Sequence, residues 1–373
     1  MLEARFALAR QQKAVTGSRV TQPLALLPIS LAATQASLPW HTALIEYAIL
    51  DHALAAFVVT RNSASELHWP VDTAALPAKI QWLRVKMASA KQPVEFAERL
   101  ADASEILLAP VLKVVPARVD ELILVPTEYL LSIPFEALPL PGAASNKAGL
   151  LIDRFAVAYL PSASTLQFLR FGPPAASPDL FLGALGDVSV EDWPSLPGTL
   201  EETEKIQALF PFARRITGTA FTHDVAVDSL LRYSEVHFAT HGILDAQSPL
   251  FSALVTAPAP GQAARLSLYE VMDIRVKSRL VILSACETDR GQLSGGDEIV
   301  GLTRIFLQAG AESVVSSLWK VDDQATALLM EALHTHPRSG ESTSVALRHA
   351  QLETRRKFAQ PFYWAAFIET GVR

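Results

Sequence analysis

His241 and Cys286 are the two residues of this chain whose types could share nucleophilic chemistry. Cys286 closes the run Leu280-Val281-Ile282-Leu283-Ser284-Ala285-Cys286, and His241 closes Val236-His237-Phe238-Ala239-Thr240-His241, with Gly242 next. A thiol is a stronger nucleophile once ionised, and a nearby imidazole can accept its proton. Gly242 has no Cβ to keep its N–H from a bound carbonyl oxygen. Together with the N–H of Cys286 it would form an oxyanion hole. A lone cysteine is also an ordinary small buried residue, so the rest of the chain has to decide between the two readings.

Both residues need strands to deliver them. Leu280 to Leu283 are four apolar residues in a row, the pattern of a strand buried on both faces of a parallel sheet. Val236-His237-Phe238-Ala239 reads as a second buried strand, apolar except at His237. Open parallel sheets carry their active groups at the carboxyl ends of the strands, so two neighbouring strands of this kind would bring His241 and Cys286 to one rim.

The rest of the second half alternates strand and helix. Strands are expected at 180–185, 214–217, 253–256, 313–318 and 364–369. Helices are expected at 199–209, 222–233, 297–309, 322–334 and 344–357. Thr199 and Glu202 have the spacing of a capping box. This alternation predicts a mostly parallel sheet covered on both faces.

The first half reads as a smaller α/β unit without a cluster of titratable groups. A helix at 2–15, a linker at 17–28 and a short helix capped by Ser30 lead into strands at 43–50 and 53–60, joined by Asp51-His52. A third strand at 66–69, helices at 72–89 and 93–109, strands at 121–125 and 155–160, and an extended segment at 133–138 complete it. The Gly/Pro-rich stretch 171–178 is the best linker. The division is therefore a lead-in at 1–39, an α/β unit at 40–175 and a second at 176–373.

Composition narrows the function. The chain has 373 residues, half of them hydrophobic, and a formal net charge of −6. That allows a large core and gives no basic face for nucleic acid. A single cysteine excludes a disulfide framework and fits a reducing compartment. No apolar run reaches spanning length. A cytoplasmic protein that binds neither membrane nor nucleic acid is expected. The histidines lack the spacing of metal ligands, so neither zinc nor another cofactor is expected. There is no G-x-G-x-x-G, P-loop or G-x-S-x-G, which disfavours a nucleotide-binding protein or a serine hydrolase.

Five motifs in order resemble those of a CHAT domain, the bacterial branch of the caspase and separase group of cysteine peptidases. They are His237-Phe238-Ala239-Thr240-His241-Gly242, Leu283-Ser284-Ala285-Cys286-Glu287-Thr288, Gly295-Gly296-Asp297-Glu298, residues 316–323 ending in Asp322-Asp323, and Tyr363-Trp364-Ala365-Ala366-Phe367. Leu44-Ile45-Glu46-Tyr47 and Ile133-Pro134-Phe135-Glu136-Ala137-Leu138 are weaker matches. The resemblance implies a caspase-like fold, a first half like a degenerate caspase unit, and a His241/Cys286 dyad with Cys286 as nucleophile and His241 as general base. It implies a backbone carbonyl, not a third acid, as the group that orients the imidazole. Ser284-Ala285-Cys286-Glu287-Thr288 lacks the caspase glycine, so aspartate specificity is not carried over.

By likeness to separases, Asp322 or Asp323 would line a pocket for a basic residue before the cut, with Asp297 as a further candidate. Asp322 and Asp297 also stand where helix caps stand. His237 is expected packed or at the sheet surface, and His223, His334, His336 and His349 solvated. The expected function is a cysteine endopeptidase acting on a protein partner. The alternative is a catalytically silent caspase-like interaction scaffold. A helical-repeat (TPR-type) region or an activating protein is a further expected partner.

Overall fold

A computed structural model describes residues 28–142, 149–169, 179–245, 249–287, 297–335 and 341–372. The readings that fall elsewhere lie outside the described residues. They are the helix at 2–15, nearly all of the linker at 17–28, the linker at 171–178, His336 and the Gly295-Gly296 pair.

The first described helix, α1 (Leu31–Ser37), starts where Ser30 accepts a hydrogen bond from the Ala33 N–H at 3.2 Å. Three antiparallel strands follow, β1 (Thr42–Leu50), β2 (Ala53–Thr60) and β3 (Ser63–Pro70). His52 takes the tight turn between the first two with φ 58°. Helices α2 (Leu76–Met87) and α3 (Phe96–Leu107) lead to β4 (Glu121–Val125) and β5 (Ala156–Tyr159). The 133–138 segment is not extended throughout: Phe135–Ala137 is a turn of 3-10 helix. It is fixed by a buried hydrogen bond from the Phe135 N–H to the Tyr159 hydroxyl oxygen at 2.8 Å.

The second half contributes β6 (Leu180–Ala184), α4 (Gly198–Leu209), β7 (Arg214–Thr217), α5 (His223–Arg232) and β8 (Glu235–Ile243). Next come β9 (Ala253–Val255), β10 (Arg265–Ser267), α6 (Leu268–Asp273), β11 (Leu280–Glu287) and α7 (Asp297–Ala309). The last elements are β12 (Ser313–Ser317), α8 (Asp323–Thr335), α9 (Thr343–Lys357) and β13 (Phe367–Gly371). The elements β10 and α6 were not foreseen. The final strand starts three residues later than expected, because Pro361–Trp364 forms a helical turn before it, and runs on to Gly371.

Strands of both halves belong to one sheet. Its main path runs β10-β9-β8-β11-β12-β13-β5-β4-β1-β2-β3, with β6 and β7 paired on the other side of β8 from β11. The two halves join where β13 lies parallel to β5 and antiparallel to β12. The side-chain period of two divides the core. Ile45, Leu124, Leu280 and Ile282 face α2, α3, α8 and α9. Leu44, Ile123, Val281 and Leu283 belong to the opposite face with α5, α6 and α7. Among the described residues no helix is long and apolar enough to cross a membrane.

Candidate active site

The site is set by the register of β8 against β11. The pair is parallel, and eight rungs run from Leu280↔Glu235 to Cys286↔His241 and Glu287↔Gly242. Adjacent strands lie about 4.8 Å apart, and register partners in a parallel pair share a face. His241 and Cys286 are therefore neighbours, on the penultimate rung, at the carboxyl rim. They sit inside the ladder and not just beyond it, because the polar end of β8 stays paired: Gly242 is also opposite Leu254 of β9.

His241 is 2% exposed. Its Nε2–H donates to the carbonyl oxygen of Pro194 at 2.7 Å, so a backbone carbonyl orients the ring. This leaves Nδ1 as the basic nitrogen of the neutral ring. The ring of Trp193 lies beside it, centroids 5.3 Å apart. The loop that brings both residues is pinned at two points. The Leu196 N–H donates to the Gly186 carbonyl at 2.6 Å, and the Thr199 hydroxyl bridges the Leu196 carbonyl and the Gly186 N–H. Burial pushes the His241 pKa down; the Pro194 carbonyl opposes that, and the positive charge of Lys320 adds to it. The ring is thus held as a neutral base.

The acidic candidates take different places. Asp322 caps α8, its Oδ1 accepting from the N–H groups of Gln324 and Ala325 at 3.0 and 3.1 Å. Asp323 is exposed, but its carboxylate lies against the first residue of α4; a Cβ on Gly198 would come within 2.6 Å of Oδ2. Asp297 is the first residue of α7.

Behind the rim lies a polar cluster that sequence reasoning missed. His237 is fully buried and bonded on both ring nitrogens, to His334 Nε2 at 3.1 Å and to Glu202 Oε1 at 2.8 Å. The other oxygen of Glu202 accepts from the Ser284 hydroxyl at 3.2 Å. Glu202 is therefore no capping-box residue; α4 begins after Pro197 with no side-chain cap. His334 is not solvated but 3% exposed. Burial and then the neighbouring His237 hold its pKa well below the ordinary value. His223 is also mostly covered, bonded to Asp224 and Glu270. The available signal was the spacing of His237 and His241, four apart on one strand and hence on one face.

Comparisons with known proteins agree with this architecture. Over 304 residues the chain is 26% identical to tetratricopeptide repeat protein 28 of Homo sapiens, matching 67% of this chain and 12% of that protein. The Mus musculus counterpart gives the same figures. The chain thus spans a small part of the length of these curated relatives. Among solved structures, the Saccharomyces cerevisiae separase–securin complex superposes with a TM-score of 0.55 at 10% identity. That match covers 91% of this chain and 30% of that one, a likeness of fold. The CHAT domain model matches residues 96–372, and with most of its length so matched, the chain belongs to the CHAT domain family.

Proposed function

We propose that the chain is a cysteine-type endopeptidase acting on a protein partner through His241 and Cys286. The observation that carries this reading is the Cys286↔His241 rung at the sheet's carboxyl rim, with the imidazole oriented by the Pro194 carbonyl. His241 Nδ1 takes the thiol proton and the sulfur attacks the scissile carbonyl carbon. The oxyanion is held by the N–H groups of Gly242 and Cys286. His241 then gives the proton to the leaving amine. Water, deprotonated by His241, hydrolyses the thioester and frees the thiol.

Asp323, exposed at the same rim, is the better of the paired aspartates for binding a basic residue before the cut, since Asp322 is engaged by two backbone N–H groups. A protein partner is supported by the separase neighbour, solved in complex with securin. A helical-repeat companion region is supported by the tetratricopeptide name of the curated relatives.

One observation favours the second reading, a silent scaffold: His241 is covered, at 2% exposure, beneath the Trp193 loop. Alkylation separates the two readings. Cys286 is the only cysteine, so iodoacetamide uptake reports on it alone. The peptidase reading expects labelling at pH 7 faster than a free thiol, and slowed about tenfold or more by His241→Ala. Equal rates in wild type and variant would refute the dyad and leave the scaffold.

A further inference from the structure

Glu202 occupies an unusual place. It is a carboxylate 3% exposed, on the first turn but one of α4, and it meets both strands of the site at once. Oε1 accepts from His237 Nε2 at 2.8 Å and Oε2 accepts from the Ser284 hydroxyl at 3.2 Å. His237 precedes His241 by four residues on β8, and Ser284 precedes Cys286 by two on β11, on the same faces as the site residues. The protons run one way. His334 Nε2–H donates to His237 Nδ1, His237 Nε2–H donates to Glu202, and Ser284 donates to Glu202. Both carboxylate oxygens and both His237 nitrogens are thereby satisfied, which is what a buried polar group requires.

The same helix is continuous with the loop that carries Trp193 and Pro194. Thr199 on its first turn ties that loop to Gly186. Whatever fixes α4 against β8 and β11 therefore also fixes the distance from the Pro194 carbonyl to His241.

We infer that Glu202 is a positioning residue of the candidate active site, a clamp that locks helix α4 to the two site strands and thereby holds the Pro194 carbonyl on His241. Glu202 touches no reacting atom in this role. It acts through His237, Ser284 and the Pro194 loop. The inference concerns the state of His241, and only its consequence for the thiol rests on the peptidase reading.

The test uses the full chain with Glu202→Leu, Glu202→Gln and Ser284→Ala. Two signals are read: the nitrogen-15 NMR shifts of the His241 ring across a pH titration, and the iodoacetamide rate at Cys286. Wild type is expected to show a single Nε2–H tautomer with a depressed pKa. Glu202→Leu is expected to mix the tautomers, move the His241 titration toward the ordinary imidazole value, and slow alkylation about tenfold or more, since a misplacement of about 1 Å can cost about a hundredfold. Glu202→Gln keeps an acceptor for His237 and can donate to Ser284, so it is expected to stay within about twofold of wild type. Ser284→Ala loses one anchor and removes little volume. It is expected to move both signals the same way by less, and it decides the matter if Glu202→Leu does not fold.

An unchanged His241 tautomer and titration in folded Glu202→Leu, or in Ser284→Ala where Glu202→Leu does not fold, would overturn the clamp. If wild type and His241→Ala alkylate equally, the dyad falls instead, while the nitrogen shifts still judge the clamp.

Discussion

Glu136 is a carboxyl group buried where charge is expensive. It is 2% exposed, it accepts the Tyr159 hydroxyl on Oε2 at 2.7 Å, and its Oε1 has no hydrogen-bond partner. Burial raises its pKa from the ordinary 4.5 to about 7, against the opposing hydrogen bonds from Tyr159 and the backbone. The sign follows from proton counts. Between those two values the folded chain holds a proton that the unfolded chain has lost, so stability falls as pH rises through the window. The rise from 4.5 to about 7, at about 1.4 kcal/mol per pH unit, makes the ionised group cost the fold about 3 kcal/mol above neutrality. Glu136→Gln keeps the shape and cannot ionise. Urea unfolding of wild type and variant, from pH 5 to pH 8, should give curves that diverge by up to about 3 kcal/mol as pH rises. The slope is the diagnostic, since the buried amide of the variant shifts the absolute level at every pH. Parallel curves over the whole range would refute the reasoning, because Glu136 would then ionise alike in both states.

Three further outcomes are expected. His334, held neutral by burial and by His237, contributes stability that is present above the unfolded imidazole value of about 6.5 and is lost as pH falls below it, by up to about 1.4 kcal/mol per pH unit. His334→Gln, which keeps a donor for His237, should flatten that acid limb in urea unfolding. Gly371 has φ 115°, and a Cβ there would clash with the Glu312 carbonyl oxygen, so Gly371→Ala should cost about 2 kcal/mol or more by the same assay. In a peptide library, wild type should cut after Arg or Lys and Asp323→Ala should lose that preference, whereas cleavage after apolar residues in both would remove the acidic pocket.

The site strands were legible because burial on both faces leaves a mark in one dimension: Leu280 to Leu283 is an apolar run, and Val236, Phe238 and Ala239 are apolar around His237. The hairpin at Asp51-His52 was legible for a local reason, a turn pair between β-rich runs. Long-range pairing leaves no such mark. Thr199 and Glu202 fit a capping box by spacing, yet the buried His237 and Ser284 are better partners for the carboxylate than a helix-end amide that water can reach. His334 has the spacing of a helix-end residue, and only the packing of α8 beside α4 shows that it is inside. The segment at Phe135 reads as extended because Pro134 disfavours helix locally, while the Tyr159 hydroxyl draws the next residues into a tight turn. β10 was missed because three residues are too few for a periodic signal and the strand is defined by β9 across from it. The shared rim of His241 and Cys286 follows from two similar strand ends, whereas nothing in the one-dimensional pattern specifies the Cys286↔His241 rung.

The order of the strands bears on how the chain comes to be folded. β13 sits near the middle of the sheet, yet it is the last of the thirteen to leave the ribosome. Until it does, β12 and β5 each present an open flank, and the nascent halves are two separate partial sheets. The seam is thus a late, long-range closure, and species arrested before it would expose two sticky edges well suited to pairing with the wrong neighbour.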